Sequence, residues 1–308
     1  MRFGLAPPNY AQWFQRDDIT AICRHAEEVG FDSLWFGDHI ALPRSIADIF
    51  GNAYLDVFPL LGFVAAVTER VTLGTNVLVV PYRNPLVTAK EAATVDRLSG
   101  GRLVLGVGIG HARGEFEALG VPFHERGRRT DEHLRAMRSL WENDTATFSG
   151  EWTSFTDLCP LTRPIQDPLP ILIGGDGPRS MRRAVEHGAG WAPGQGTMEE
   201  LAAKIAQLSE IADQAGAARP RIVARWLIHP VRSGEVGPPI RHRGELRRPR
   251  LDPSAAADQL ARMAELGVDE VIVDIPAHQG SYRRNIDLIA DLIGSTRHAV
   301  RSDDPSEE

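Results

Sequence analysis

The amino-acid sequence predicts a closed (β/α)8 TIM barrel, and three observations point to it. Short apolar runs and amphipathic stretches alternate along the chain, giving eight strand–helix pairs within 308 residues. That is the rhythm of a parallel sheet whose crossovers are helices. No GxGxxG turn follows the first strand, which leaves an open doubly wound sheet as the second choice. Small residues gather where strands three to six end, the end at which such barrels carry their sites.

Arg2 to Ala6 is the first strand, followed by the loop PPNYAQWFQ. Asp17 to Val29 is amphipathic, with Ile19, Ile22, Ala26 and Val29 on one stripe and acids at its start. Cys23 falls in this helix as a small core residue. Strand two, Ser33 to Phe36, is entered through Gly30 and left through Gly37. A long loop, Ile40 to Asp56, precedes an apolar helix from Asp56 to Thr68. Val71 to Val80 is a β-rich run interrupted by Gly74, and Pro85 to Leu98 a helix with proline in its first turn. Leu103 to Ile109 is strand four, with helices at Arg113 to Leu119 and Arg126 to Trp141. Phe148 to Asp157 is strand-like but outside the rhythm, so it reads as a surface excursion. LPILIGG is strand five with its helix at Arg179 to His187; Gly190 to Pro193 is strand six with Met198 to Ala215. Arg221 to His229, Asp252 to Leu266, Glu270 to Asp274 and Tyr282 to Ile293 complete the count. Val231 to Leu251, rich in Pro, Gly and Arg, reads as a lid or a mobile loop.

One barrel domain is expected over residues 1–296, with an acidic disordered tail at 297–308 ending in SDDPSEE. Net charge is −7. The richest basic cluster, Arg241 to Arg250, is interrupted by His242, Gly244, Glu245 and Pro249. This argues against a nucleic-acid partner and leaves a local anion site as that cluster's possible use. No membrane-length apolar run and no secretory pattern at Met1 are present, so a soluble cytoplasmic protein is expected.

The stretch GFDSLWFGDH delivers Asp38 and His39 to the strand-two mouth. An acid beside an imidazole there suits proton transfer or cofactor contact. Adjacent strand residues face opposite ways, so only the turn at Gly37 would let both serve one site. The plain structural alternative is a carboxylate capping the next loop and a histidine bonded to backbone. Strand four supplies His111, Arg113 and Glu115, the last suited to a salt bridge with Arg113 or another basic residue. The turn GGDGPRS leads into a helix and suits an anion such as a phosphate, with Arg179 nearby; tight turns and barrel packing would also use those glycines. No metal-ligand set is evident, and Lys90 and Lys204 lie in helices rather than at strand mouths, against a Schiff-base mechanism.

The stretches GFDSLWFGDH, TERVTLGTNVLVVPYRNP, LSGGRLVLGVGIG, EFEALGVPFHERGRRTDE, LPILIGG and GAGWAPG occur in this order. Together they resemble the bacterial luciferase-like monooxygenase superfamily, in its actinobacterial branch that uses the deazaflavin coenzyme F420. The resemblance implies a barrel with inserted segments, usually a homodimer, and a flavin or deazaflavin lying across the strand ends. It implies that Asp38 and His39 flank the redox ring, and that Thr75, Asn76 and Val77 form a bulge behind it with a non-prolyl cis peptide. It matches Gly108, Ile109, Gly110 and His111 to the strand-four end, where relatives often carry Glu or Trp at the last position. Gly174, Gly175, Gly194 and Gln195 match the loops that hold the cofactor phosphate. The expected activity is hydride transfer between F420 and a small organic substrate, with an F420-reducing dehydrogenase or other cofactor reductase in the cell. His39 is the expected general acid/base, and Asp38 sets its tautomer or contacts the cofactor. Two alternatives stand beside this: an FMN-dependent monooxygenase served by a partner reductase, and a non-catalytic flavin- or ligand-binding barrel. Tyr10, Trp13, Phe14, Phe50 and Tyr54 suggest an apolar or aromatic pocket wall.

Overall fold

The computed structural model describes residues 1–10, 15–42, 44, 53–187, 189–228, 240–242, 245–247, 253–275 and 282–302. Eight parallel strands form the barrel: β1 Arg2–Ala6, β2 Ser33–Phe36, β3 Thr72–Thr75 resuming at Leu78–Val79, β4 Leu103–Gly108, β5 Ile171–Gly174, β6 Gly190–Ala192, β7 Arg221–Leu227 and β8 Glu270–Asp274. Each pairs with its neighbour in sequence, and β1 pairs with β8 through Gly4 and Ile272, which closes the ring. The closed barrel, not the open sheet, is therefore the fold.

Helices wrap the outside: α1 Arg16–Glu28, α2 Val57–Val67, α3 Pro85–Leu98, the short α4 Arg113–Ala118, α5 Arg126–Glu142, α6 Pro178–His187, α7 Met198–Gln214, α8 Pro253–Glu265 and α9 Tyr282–Ser302. Their starts are written locally. Asp56 caps α2 through the Phe58 N–H, Asn84 caps α3 ahead of Pro85, and Thr197 with Glu200 forms a capping box on α7. The run 146–158 is a two-stranded antiparallel hairpin outside the barrel, Ala146–Ser149 with Ser154–Leu158. Buried Glu132 on α5 holds its turn by accepting the N–H groups of Glu151, Trp152 and Thr153. Ile240–His242 and Glu245–Arg247 pair as two short strands, while the rest of the expected lid, Val231 to Leu251, lies outside the described residues. The last helix continues to Ser302, so residues 297–302 are helical rather than tail; residues 303–308 lie outside the description. Among the described residues no helix is long and apolar enough to cross a membrane.

Two apolar layers build the core. Between strands and helices lie Phe3, Leu5, Leu34, Phe36, Leu73, Leu105, Val271 and, on α1, Cys23. Inside the barrel a smaller cluster joins Trp35, Leu172, Ala192, Val223 and Ile272. Trp35 fills the interior because β3 gives way to it: a Cβ on Gly74 would lie 2.1 Å from the indole. Gly74 thus makes room for a side chain and does not interrupt the strand. Beneath the ring, Trp35 Nε1 donates to Ser33 Oγ at 2.7 Å, and Ser33 Oγ donates to buried Glu270 at 2.5 Å. Arg221 closes that end at 3.2 Å from Glu270.

The true interruption of β3 comes two residues later. Gly74 pairs with Val104 and Leu78 with Val107, so four steps of β3 oppose three of β4. One extra residue is a bulge, and a bulge reverses which side chains point inward. The Asn76–Val77 peptide within it is cis. Val77 turns into the barrel mouth, where its methyls occupy the space that a Cβ on Gly108 or Gly174 would need.

Candidate functional site

At the C-terminal ends of the strands the inner wall is mostly small: Ala6, Gly37, Gly108, Gly174 and Ala192, with Val77 standing over Gly108 and Gly174. Larger groups come from the loops. His39, just past β2, is mostly buried, and its Nδ1 lies 2.9 Å from Glu115 Oε2 on α4. Its ring meets the edges of Tyr54 at 5.2 Å and His111 at 5.9 Å between centroids. Tyr54 stacks on Tyr10 at 5.7 Å. Trp13, Phe14 and Phe50, the other expected wall residues, lie outside the described residues.

Glu115 is the best-anchored group of the site. It is 1% exposed and accepts from His39, from the Tyr82 hydroxyl at 3.0 Å, and from the N–H groups of Ile40 at 2.8 Å and Ala41 at 3.1 Å. Burial pushes its carboxyl up, but the bonds from His39 and the two backbone N–H groups outweigh this and hold it below its ordinary value. An ionised carboxylate only accepts, so Nδ1 of His39 carries the proton that faces it. A neutral His39 then presents Nε2 as its basic nitrogen. Burial pushes the Tyr82 phenol well up, with Glu115 adding to the effect, so Tyr82 stays a donor. Burial first, then the neighbouring His39, hold His111 below its ordinary value.

Asp38 is placed elsewhere. Adjacent to His39 in sequence, it faces away and is buried against β3. It accepts from Val79 N–H at 2.9 Å and from both ends of the Arg83 fork, at 2.6 and 2.8 Å. Arg83 also reaches Asp56 at 2.9 Å. The turn at Gly37 therefore does not bring both side chains to one site, and the residue that sets the His39 tautomer is Glu115. Of the two partners expected for Glu115, Arg113 or another basic residue, the structure gives the second, His39. Arg113 instead lies 4.4 Å over the Phe123 ring.

The other expected site residues divide. Thr75 is fully buried and donates its hydroxyl to Gly106 O at 2.6 Å, a strand contact within the wall. Asn76 N donates to Phe36 O at 2.7 Å, which leaves Val77 as the bulge residue that faces the mouth. Gly108, Ile109 and Gly110 carry the chain from β4 to His111, Gly110 at φ 76° and tight against Phe116. The β5 turn is more closed than its glycines suggested. Gly175 N–H donates to Ala192 O at 3.1 Å, and Gly194 N–H to Asp176 Oδ1 at 2.8 Å. Lys204 adds an ion pair to the same Asp176 oxygen at 2.8 Å. Two of the backbone donors expected for a phosphate are thus already committed. Gln195 follows Gly194 on the loop after β6.

Sequence reasoning missed Tyr82 and Arg83, which hold Glu115 and Asp38, and one further pair. Arg225 on β7 and Asp274 at the end of β8 form an ion pair on the inner wall. The period-two facing of β7, with Val223 in the interior cluster, is the signal that would have placed Arg225 inside.

Comparison with known proteins follows this geometry. The family described as Luciferase-like monooxygenase matches residues 2–235. An uncharacterised protein of Mycobacterium tuberculosis is 30% identical over 272 residues, covering 83% of this chain and 86% of that one. The F420-dependent glucose-6-phosphate dehydrogenase of Amycolatopsis mediterranei is 36% identical over 195 residues, 62% of this chain and 57% of its own length. In fold, the monooxygenase RslO1 of Streptomyces bottropensis superposes with a TM-score of 0.79 at 20% identity, covering 96% of this chain and 100% of that one.

Proposed function

Because the chain belongs to the luciferase-like monooxygenase family, we propose that it is an oxidoreductase that moves hydride between coenzyme F420 and an organic substrate. The observation that carries this reading is the His39–Glu115 pair beside His111 at the barrel mouth. The choice of deazaflavin is supported by two relatives at 36% and 37% identity that are named F420-dependent dehydrogenases.

The residues present fit a flat ring. Small inner residues on β1, β4, β5 and β6 leave the mouth open, and Val77 raises a narrow apolar step within it. The ring would rest against Val77 and the backbone from Gly108 to His111, with His39 at its edge. Its phosphate end would lie toward the turn after β5, where Arg179 is exposed at the start of α6. When bound, the deazaflavin supplies a two-electron hydride carrier.

The protein's own part is proton handling and orientation. Glu115 fixes the His39 ring so that Nε2 would accept or return the proton that a substrate oxygen loses or gains as the carbon bearing it is oxidised or reduced. Tyr82 and the Ile40 and Ala41 N–H groups keep Glu115 in place. Asp38 and Arg83 lock the loop after β2 onto the resumed β3.

The test is a side-by-side titration of the purified protein with F420 and FMN, followed by exposure of each reduced complex to air. Tighter F420 binding and a reduced complex that persists are expected. Tight FMN binding, no F420 binding and rapid reoxidation would overturn the assignment in favour of an oxygen-activating flavoenzyme.

A further inference from the structure

Several carboxylates at the barrel mouth have a basic partner. Asp38 is paired with Arg83, Glu115 with His39, Asp176 with Lys204 and Asp274 with Arg225. Arg225 differs from the other basic groups in standing inside the barrel. Its Cα is in register with fully buried Ile272, and Val223, two residues earlier, belongs to the apolar floor with Trp35 and Leu172. A side chain at that depth is normally packed. The Arg225 side chain is nevertheless 42% accessible, whereas that of Asp274 is 10%. The carboxylate is therefore covered and accepts from Nη2, while the arginine side chain keeps part of its surface exposed. Among the described residues Asp274 is its hydrogen-bond acceptor.

The stacked Tyr10 and Tyr54 stand close enough to feel this pair. Burial raises both phenols, Asp274 raises them further, and Arg225 opposes it. Both hydroxyls consequently remain protonated. Arg225 thus stands over an apolar floor and is paired with a carboxylate, with the two tyrosines near enough to feel the pair.

We propose that Arg225, held and neutralised by Asp274, anchors the substrate by donating to a neutral oxygen, a carbonyl or hydroxyl, on a largely apolar molecule. This rests on the reading of the barrel mouth as the substrate site. An anionic group brought into a desolvated site needs a surplus cation to offset its lost hydration. The Arg225–Asp274 pair carries no net charge, so a phosphate or carboxylate would meet Asp274 without compensation. A neutral acceptor takes the remaining N–H groups with no such conflict, and the tyrosine rings match an apolar skeleton. On this argument the chain does not take a sugar phosphate, unlike what the names of its dehydrogenase relatives would suggest.

The experiment measures binding to the full-length protein without cofactor, by saturation-transfer NMR, using cyclohexanone, cyclohexanol and cyclohexyl phosphate as probes. F420 is titrated separately. Wild type is expected to bind the two neutral probes in preference to the phosphate ester. Arg225→Met should weaken the neutral probes about tenfold or more, the scale of a lost bond to a charged donor. Asp274→Asn leaves the guanidinium uncompensated and should turn the preference toward the phosphate ester by a similar factor. A merely structural ion pair would not produce that reversal. Arg225→Lys, which keeps charge but loses the planar fork, replaces the methionine variant if that one does not fold. Preference of wild type for the phosphate ester, binding of none of the probes, or an unchanged preference in Asp274→Asn would each overturn the proposal. Arg225-dependent binding of the neutral probes without any F420 binding would instead sink the redox reading and leave this one standing.

Discussion

Glu115→Gln is the most informative single change, because it alters one charge and almost no volume. The Gln carbonyl can keep the Ile40 and Ala41 N–H groups, which share Oε1. Its amide nitrogen then faces two donors, the Tyr82 hydroxyl and the His39 Nδ1 proton, both of which point at Oε2. The hydroxyl can rotate away. His39 can satisfy the amide only by giving up the Nδ1 proton and carrying it on Nε2. The tautomer therefore inverts, and the nitrogen meant to accept a proton becomes a donor. Loss of hydrogen bonds to a buried charge should cost about 1.5–3 kcal/mol, on the order of 2–5 °C in Tm for a chain of this size. Turnover should fall by roughly 10²–10⁴-fold, as expected when a general base is held in the wrong tautomer. The direct assay is 15N imidazole NMR on histidine-labelled protein, with His39→Ala assigning the signal. Wild type should show protonated Nδ1 and the variant protonated Nε2. Identical 15N patterns in the two would refute the argument. The pH dependence has a definite sign. Glu115 titrates below its ordinary value in the folded protein, so its contribution is full above the unfolded carboxylate range. It is lost as pH falls through the lower folded value. The stability gap between wild type and Glu115→Gln should accordingly be constant near neutrality and shrink in acid.

His39→Ala should leave the fold and F420 affinity largely intact while slowing turnover by about 10²-fold or more; an unchanged kcat across the pH range would remove His39 from the mechanism. Arg83→Met should act on stability, by roughly 3–5 kcal/mol in chemical denaturation, because among the described residues it leaves buried Asp38 the Val79 N–H alone. The His39 tautomer signal should not change in that variant, and a change would tie Asp38 to the imidazole after all. Gly175→Val should destabilise by about 1–3 kcal/mol, since a branched residue is strained at φ 129° and its Cβ would lie 3.1 Å from Ser180. An unshifted thermal melt would show that the β5 turn relaxes without cost.

Much of the fold was legible because its punctuation is local. Ser33–Phe36, Pro85–Leu98 and Glu270–Asp274 fall at the expected boundaries. A glycine, a first-turn proline or an abrupt change in polarity marks each of them. The bulge in β3 was placed by resemblance, and the residue pattern alone put the interruption at Gly74. Periodicity cannot distinguish a glycine that breaks a strand from one that makes room for a tryptophan thirty-nine residues earlier in the chain. The β5 turn misled in a similar way. Its glycines suggested open backbone donors, but Ala192 and Asp176 take two of them once β6 lies alongside. Arg225 escaped notice because its partner is 49 residues away, and no local pattern links the two.

The site turns on which face each carboxylate is given. Asp38 and Glu115 are both buried acids near the mouth of β2, and sequence adjacency favoured Asp38 as the partner of His39. Alternation along a strand sends neighbours to opposite faces. With His39 facing the mouth, Asp38 faces β3, where the Val79 N–H and the Arg83 fork receive it. The partner of His39 must then come from another strand end, and α4 supplies it 76 residues later. That arrangement has a consequence an adjacent pair would lack. The carboxylate that orients the imidazole also accepts the N–H groups of Ile40 and Ala41, and so fixes where the loop after β2 leaves the barrel. Orientation of the proton-transfer group and order of this loop therefore rest on one anchor. Hydrogen exchange at Ile40 and Ala41 should accelerate in Glu115→Ala, which removes both functions. In Glu115→Gln it should stay close to wild type while the His39 tautomer inverts. Parallel loss of both in the glutamine variant would mean that the charge, not the oxygen position, holds the loop.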